Sequence, residues 1–248
     1  MNDFFPMAPA QKMALKREHV NGLRAPGHLA RRPGIGVLLV LFGLAAFGVI
    51  VIQLQTNGPL IQLDYVLNDA IHGWAINSSP FVRGVMIVGY YLGQHIIIAI
   101  GVVLLVYFIY KRFWPEAAMV VIAWAGEGAM WMFLSGLFER SRPVFDTPVW
   151  HQMTAPGFPS GHSISAVMCY GLLAYLLAAR MSKRPHRALA GITAIVIIVY
   201  IGFSRVFVGH HYLSDVLAGL ALGVAWSALV YTSVEWIAVR RGWLPVQR

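Results

Sequence analysis

One cysteine, Cys169, stands in the whole chain, which leaves no disulfide framework and no cysteine-based metal cluster to build on. It lies inside an apolar run and reads as a small core residue, since free thiols are commonly buried. Charge is scarce as well. Only 12% of the 248 residues are Asp, Glu, Lys or Arg, against about a quarter in a soluble domain. With 58% hydrophobic residues, that scarcity excludes an ordinary soluble fold and makes the chain an all-α integral membrane protein. Acidic residues are the rarer sign, 10 against 19 basic ones. The basic surplus does not imply nucleic acid as a partner, because no basic stripe interleaved with aromatics runs through a soluble segment. It gathers instead in the N-terminal tail and in short turns between apolar runs, as membrane topology requires. The chain also has no internal repeat and no low-complexity tract.

The long apolar runs are what the chain does have. Crossing about 30 Å of hydrocarbon takes roughly 20 residues, and by that measure six transmembrane helices are expected, at about 35–54, 94–110, 116–138, 162–180, 188–204 and 213–238. The first is too long and too far from the N-terminus for a cleaved signal peptide, and is expected to be an uncleaved anchor. With the N-terminus placed inside, all but four of the 19 basic residues lie on the inner side; the outer side keeps Arg83, Arg140, Arg142 and Arg205. Both termini are therefore expected in the cytoplasm. Residues 1–33 form a basic tail suited to anionic headgroups, 34–241 the six-span domain, and 242–248 a short C-terminal tail. Between the first two spans, Leu60, Leu63, Val66, Leu67, Ala70, Ile71 and Trp74 recur at helical spacing with Asp64, Asn68, Asp69 and His72 between them. That pattern predicts an interfacial amphipathic helix on the outer face, near 60–78. A second short helix, about 81–92, ends near Gly93. The outer connection 139–161 is long and carries Pro143, Pro148, Pro156 and Pro159; a loop of this length is usually functional or disordered.

Three strings carry the chemistry: Arg142-Pro143, then Pro159-Ser160-Gly161-His162, then Ser204-Arg205 followed by His211 and Asp215. Each falls at the outer end of a predicted span, so four helix ends can converge on one pocket. Two histidines, two arginines, a hydroxyl, a glycine amide and a carboxylate suffice to transfer a phosphoryl group through a phosphohistidine without a metal. A lone His or Arg at a span end is ordinarily an interfacial anchor; the joint pattern is what points to function. Spacing favours His211 over His210, which reads as a neighbour without a direct role. Arg140 reads as a surface or supporting residue. His151 and Trp150 are candidates to touch a headgroup. Glu127, deep in a span, reads as a carboxyl bonded to a neighbouring helix.

The pattern R-P … P-S-G-H … S-R-x5-H-x3-D resembles that of the type 2 phosphatidic-acid phosphatase superfamily, whose members include lipid phosphate phosphatases. The resemblance implies that His211 is the nucleophile, with Asp215 one turn on holding its ring. It further implies His162 as acid and then base, and Arg142, Arg205, Ser160 and the Gly161 amide as phosphate ligands. No metal and no cofactor is implied. The family's first motif has a lysine seven residues before Arg142, where this chain has Ser135. That departure leaves three outcomes open: weaker catalysis, a changed substrate that supplies its own cation, or binding without turnover. The expected activity is hydrolysis of a lipid phosphomonoester or diphosphate; the alternatives are transfer of the phosphoryl group to another lipid or sugar acceptor, and lipid binding or translocation. Membrane lipids and a lipid phosphate substrate are the expected partners. A bacterial inner membrane with the site on its extracytoplasmic side is the expected location.

Overall fold

The computed structural model describes residues 25–244; the expected tails up to residue 24 and from residue 245 lie outside the described residues. The elements in order are α1 (His28–Arg31), α2 (Pro33–Gln55), α3 (Pro59–Asn77), α4 (Pro80–Gly93), α5 (His95–Tyr110), α6 (Trp114–Phe138), α7 (Gly161–Arg180), α8 (Arg184–Phe207) and α9 (Leu213–Arg240). No strand occurs among the described residues. Proline occupies the first positions of α2, α3, α4, α6 and α8, where the N–H it lacks would have had no helical partner.

Six stretches are long and apolar enough to cross a membrane: α2, the pair α4–α5, α6, α7, α8 and α9. They match the runs read from the sequence, with one difference. The helix read at 81–92 and the span read at 94–110 are consecutive helices on either side of Gln94, and together they make a 31-residue apolar stretch, Pro80–Tyr110. Alone, the 16 residues of α5 would reach about 24 Å at 1.5 Å per residue, short of the hydrocarbon thickness.

The centre of the bundle is α9, with 67% of its apolar window buried against 17% for α2. Small residues let its neighbours approach. Gly43 of α2 lies against Ala221 and Ala225, and Gly219 lies so close to the Ser160 carbonyl that a side-chain carbon there would collide with it. Buried polar groups join helices in the same bundle. Glu127 accepts from Ser165 Oγ at 3.0 Å, the interhelical pairing expected of it. At the far end Glu235 accepts from Tyr175 and from the backbone of Gly27, Leu29 and Ala30, strapping α1 to α9. Cys169 is buried, as a core residue should be.

The amphipathic helix is present as α3, and two of its polar residues face the protein while Asp69 stays exposed. Asp64 and Asn68 are buried while Leu63, Tyr65, Val66 and Trp74 are exposed. The apolar side is thus free for lipid, and the polar side meets the end of the bundle where the motif strings gather.

Candidate active site

Four helix ends build this site: the C-termini of α6 and α8 and the N-termini of α7 and α9. Glu139 closes α6 in a left-handed conformation, φ 45°, with its N–H bonded to Ser135 O. The chain then turns into the loop that carries Arg140 and Arg142. At the loop's other end, Phe158 packs between Phe47 and Phe138, which fixes the approach to Ser160. The Ser160 N–H bonds to Asp215 O at 3.0 Å, tying the start of α7 to the start of α9.

The His211 ring lies between two defined partners. Its Nδ1 is 2.8 Å from Gly157 O; a carbonyl only accepts, so Nδ1 carries the proton. Its Nε2 is 2.9 Å from Arg142 Nη1; a guanidinium only donates, so Nε2 presents its lone pair. Asp215 Oδ2 stands 3.6 Å from Nδ1 and accepts the Tyr212 N–H at 2.9 Å. The direct bond that selects the tautomer therefore comes from Gly157, with the carboxylate close behind. Burial above all, then the charges of Arg142 and Arg205, hold the His211 imidazole well below the usual histidine range.

Arg142 is itself bound by backbone. Nε donates to Ala155 O at 2.7 Å, Nη2 to Pro156 O at 3.0 Å and Nη1 to His210 O at 2.6 Å. Arg205 differs. It is fully buried, lies over the Tyr90 ring at 5.0 Å, and donates from Nη2 to His210 Nδ1. Its Nε and Nη1 are buried with no partner, and so is His162 Nε2. Buried polar atoms are nearly always bonded, so these three stand out as the unsatisfied polar atoms of this site. Tyr90 joins the two side chains, its ring 5.1 Å from that of His162.

Sequence reasoning missed two residues. His210 accepts from Arg205 and donates from Nε2 to His151 O at 2.7 Å, with Trp150 stacked on it at 5.6 Å. It is the aligning partner of Arg205, not an idle neighbour. Burial first and Arg205 second push its pKa down to about 3. The other is Asp64, which joins Arg140 at 2.8 Å. Arg140 also bonds Asp215 Oδ1 and Ser214 Oγ; burial opposes its charge, but Asp215 and Asp64 outweigh burial and raise its pKa. The supporting role read for Arg140 fits these contacts.

Ser160 is fully buried and its hydroxyl accepts from Ser163 Oγ at 3.1 Å. Gly161 begins α7 against the Trp131 ring, whose Nε1 donates to Pro159 O at 3.2 Å. Ser135 turns its hydroxyl back onto Met132 O of its own helix at 3.2 Å. Position 135 thus contributes no charge, while His211, Asp215, Arg142, Arg205 and Ser160 are brought together. Among the described residues no group of three or more His, Cys, Asp or Glu side chains is arranged to hold a metal ion.

Residues 128–238 match the PAP2 superfamily. Over 118 residues the chain is 34% identical to phosphatidylglycerophosphatase B of Bacillus subtilis, which is 47% of this chain and 57% of that relative. The matched stretch thus spans little more than half the relative's length. Among solved structures, the fold resembles the transmembrane PAP2-type phosphatidylglycerolphosphate phosphatase from Bacillus subtilis, with a TM-score of 0.60, 30% identity and coverage of 79% of this chain and 93% of that one. It also resembles Aquifex aeolicus LpxE, with a TM-score of 0.53, 19% identity and coverage of 68% and 94%. At that lower identity the likeness is one of fold.

Proposed function

The chain belongs to the PAP2 superfamily, and on that premise we propose that it hydrolyses a lipid phosphomonoester or diphosphate through a phosphohistidine. The observation that carries this reading is the set of buried, unpartnered donors Arg205 Nε, Arg205 Nη1 and His162 Nε2, in the same site as a His211 whose Nε2 lone pair is free of a proton. A phosphate drawn to those donors is presented to Nε2. The nitrogen attacks phosphorus, the bond to the leaving alkoxide breaks, and His162 supplies the proton that the alkoxide takes up. His162 then accepts a proton from water as the water oxygen bonds phosphorus and the P–N bond breaks, releasing inorganic phosphate. Asp215 offsets the positive charge that the His211 ring gains while phosphorylated. Arg142 has an N–H at Nε2, so it meets the phosphoryl oxygens as the nitrogen attacks. The two guanidiniums neutralise the charge that develops in transfer, so the reaction is expected to proceed without an added metal.

The sparse basic residues at the site's end of the bundle support an extracytoplasmic site with both termini in the cytoplasm. A bacterial inner membrane is the proposed location. Substrates in this class include phosphatidic acid, phosphatidylglycerophosphate, polyprenyl diphosphates and lipid A phosphates.

Phosphate release in detergent with a chelator present tests the reading, using phosphatidic acid, phosphatidylglycerophosphate and undecaprenyl diphosphate. His211→Ala is expected to abolish release, and vanadate to inhibit it as a mimic of pentacovalent phosphorus. Release that survives His211→Ala, or that requires added divalent metal, would overturn the mechanism.

A further inference from the structure

We propose that Asp64 of α3 is a positioning residue of this reaction: it holds Arg140, Arg140 holds Asp215, and the three charges together set the field at the His211 ring. The inference rests on the phosphatase reading above. Asp64 lies outside the stretch that matches the PAP2 superfamily, on a helix whose apolar side is exposed. Yet it is 1% exposed and both its oxygens are engaged. Oδ1 accepts the Ser214 N–H at 2.9 Å, while Oδ2 accepts from Arg140 Nη2 at 2.8 Å and from Ser214 Oγ.

Capping alone does not account for this. Ser214 is in the first turn of α9, where a carboxylate is favourable, and one oxygen satisfies it. The second oxygen reaches a guanidinium whose other arm is bonded to Asp215 Oδ1. Tyr65, the next residue on α3, packs edge-on to Tyr212 at 5.6 Å, and the Tyr212 ring lies under the Arg140 guanidinium at 4.5 Å. Two adjacent residues of α3 thus fix one arginine.

Charge makes the arrangement consequential. On the Nδ1 side of His211, two carboxylates and one guanidinium leave an excess negative charge that offsets part of the positive charge of Arg142 at Nε2 and of Arg205. Without Asp64, Arg140 would neutralise Asp215 alone and the excess would vanish. The ring becomes cationic when Nε2 takes a phosphoryl group while Nδ1 keeps its proton, so that excess is felt in the transition state more than in the bound substrate.

The test compares Asp64→Asn, which keeps the shape and a cap acceptor but loses the charge, with Asp64→Glu, which keeps the charge. Phosphate release, inorganic phosphate and vanadate binding, and thermal unfolding are measured on the full chain in detergent. For Asp64→Asn, kcat is expected to fall about 10–100-fold, as for other groups that act through a reacting side chain, with KM within about threefold. Vanadate binding should weaken in parallel while phosphate binding holds. Asp64→Glu should recover most of the rate. A kcat for Asp64→Asn within about twofold of wild type overturns the proposal. So does an equal loss in both variants that tracks a lowered unfolding temperature, which would make Asp64 a cap only. Wild-type protein that neither releases phosphate nor binds vanadate would instead overturn the phosphatase reading, and this proposal with it.

Discussion

His210 and His211 are adjacent, and the backbone sends their rings to different tasks. His211 is backed by Gly157 and turns its lone pair to Arg142; His210 turns its lone pair to Arg205. Protonating His210 would put two donors nose to nose, which is why burial and Arg205 push its pKa down to about 3. The unfolded chain, with a histidine near its ordinary 6.5, binds the extra proton between those values. Stability therefore rises with pH across that window, is fully present above it, and is lost on acidification. Between pH 7 and pH 4.5 acidification should lower the unfolding temperature in detergent more for the wild type than for His210→Gln, a difference that isolates this residue from the other buried titrating groups. An unchanged slope would mean that His210 is not held neutral. Arg205 offers a second check at this scale. Its unpartnered Nε and Nη1 are two separate donors of one planar guanidinium, which an ammonium cannot copy. Arg205→Lys is expected to lose about 10²–10³ in kcat/KM, comparable to removing an oxyanion donor, in a steady-state assay of phosphate release.

At the scale of elements, the loop between α6 and α7 works through its backbone. His151, Ala155, Pro156 and Gly157 each present a carbonyl to His210, Arg142 or His211, so besides carrying Arg140 and Arg142 the loop orders the site with its backbone. Helix α7 enters the site against α9 at Gly219, where a side-chain carbon would stand 2.5 Å from Ser160 O and 2.8 Å from Ser163 Cβ. Gly219→Ala should therefore destabilise the protein by about 1–3 kcal/mol, as overpacking does, and depress phosphate release by displacing Ser160 and His162. Gly128→Ala on α6, which meets nothing within 4 Å, is the control and should be neutral or slightly stabilising by helix propensity. Equal effects at both positions, in unfolding and in release, would refute the close approach. The elements were largely legible in the sequence, because apolar length and proline at helix starts are local signals. What α3 does was not. Asp64, Asn68 and His72 at four-residue spacing read as a solvent face, and only the packed bundle turns that face inward onto Arg140, 76 residues away. His210 was passed over for the same reason, since its task depends on His151, 59 residues away.

For the whole molecule, the motif residues were legible because three strings at helix ends had to meet once the spans were counted. The proposed orientation in the membrane rests on a different property, the placement of charge. Basic residues crowd the end of the bundle where α1 is strapped to Glu235, and Arg140, Arg142 and Arg205 at the other end are held by carboxylates, carbonyls and an aromatic ring. An arginine bonded within the protein weighs less on topology than one free to meet anionic headgroups, so the inward bias is stronger than a bare count of charges implies. The consequence can be read with a single thiol. Cys169 is buried, so a Cys169→Ala background is expected to fold, and Asp146→Cys in the exposed loop or Lys183→Cys between α7 and α8 then reports one side each. A membrane-impermeant maleimide should label Asp146→Cys on intact spheroplasts and Lys183→Cys only after permeabilisation. The reverse pattern would put the phosphate site in the cytoplasm, and the substrate would then have to be drawn from the inner leaflet. Labelling of both positions on intact spheroplasts would break the six-span count itself, because residues 146 and 183 are separated by α7 alone and one crossing must put them on opposite sides.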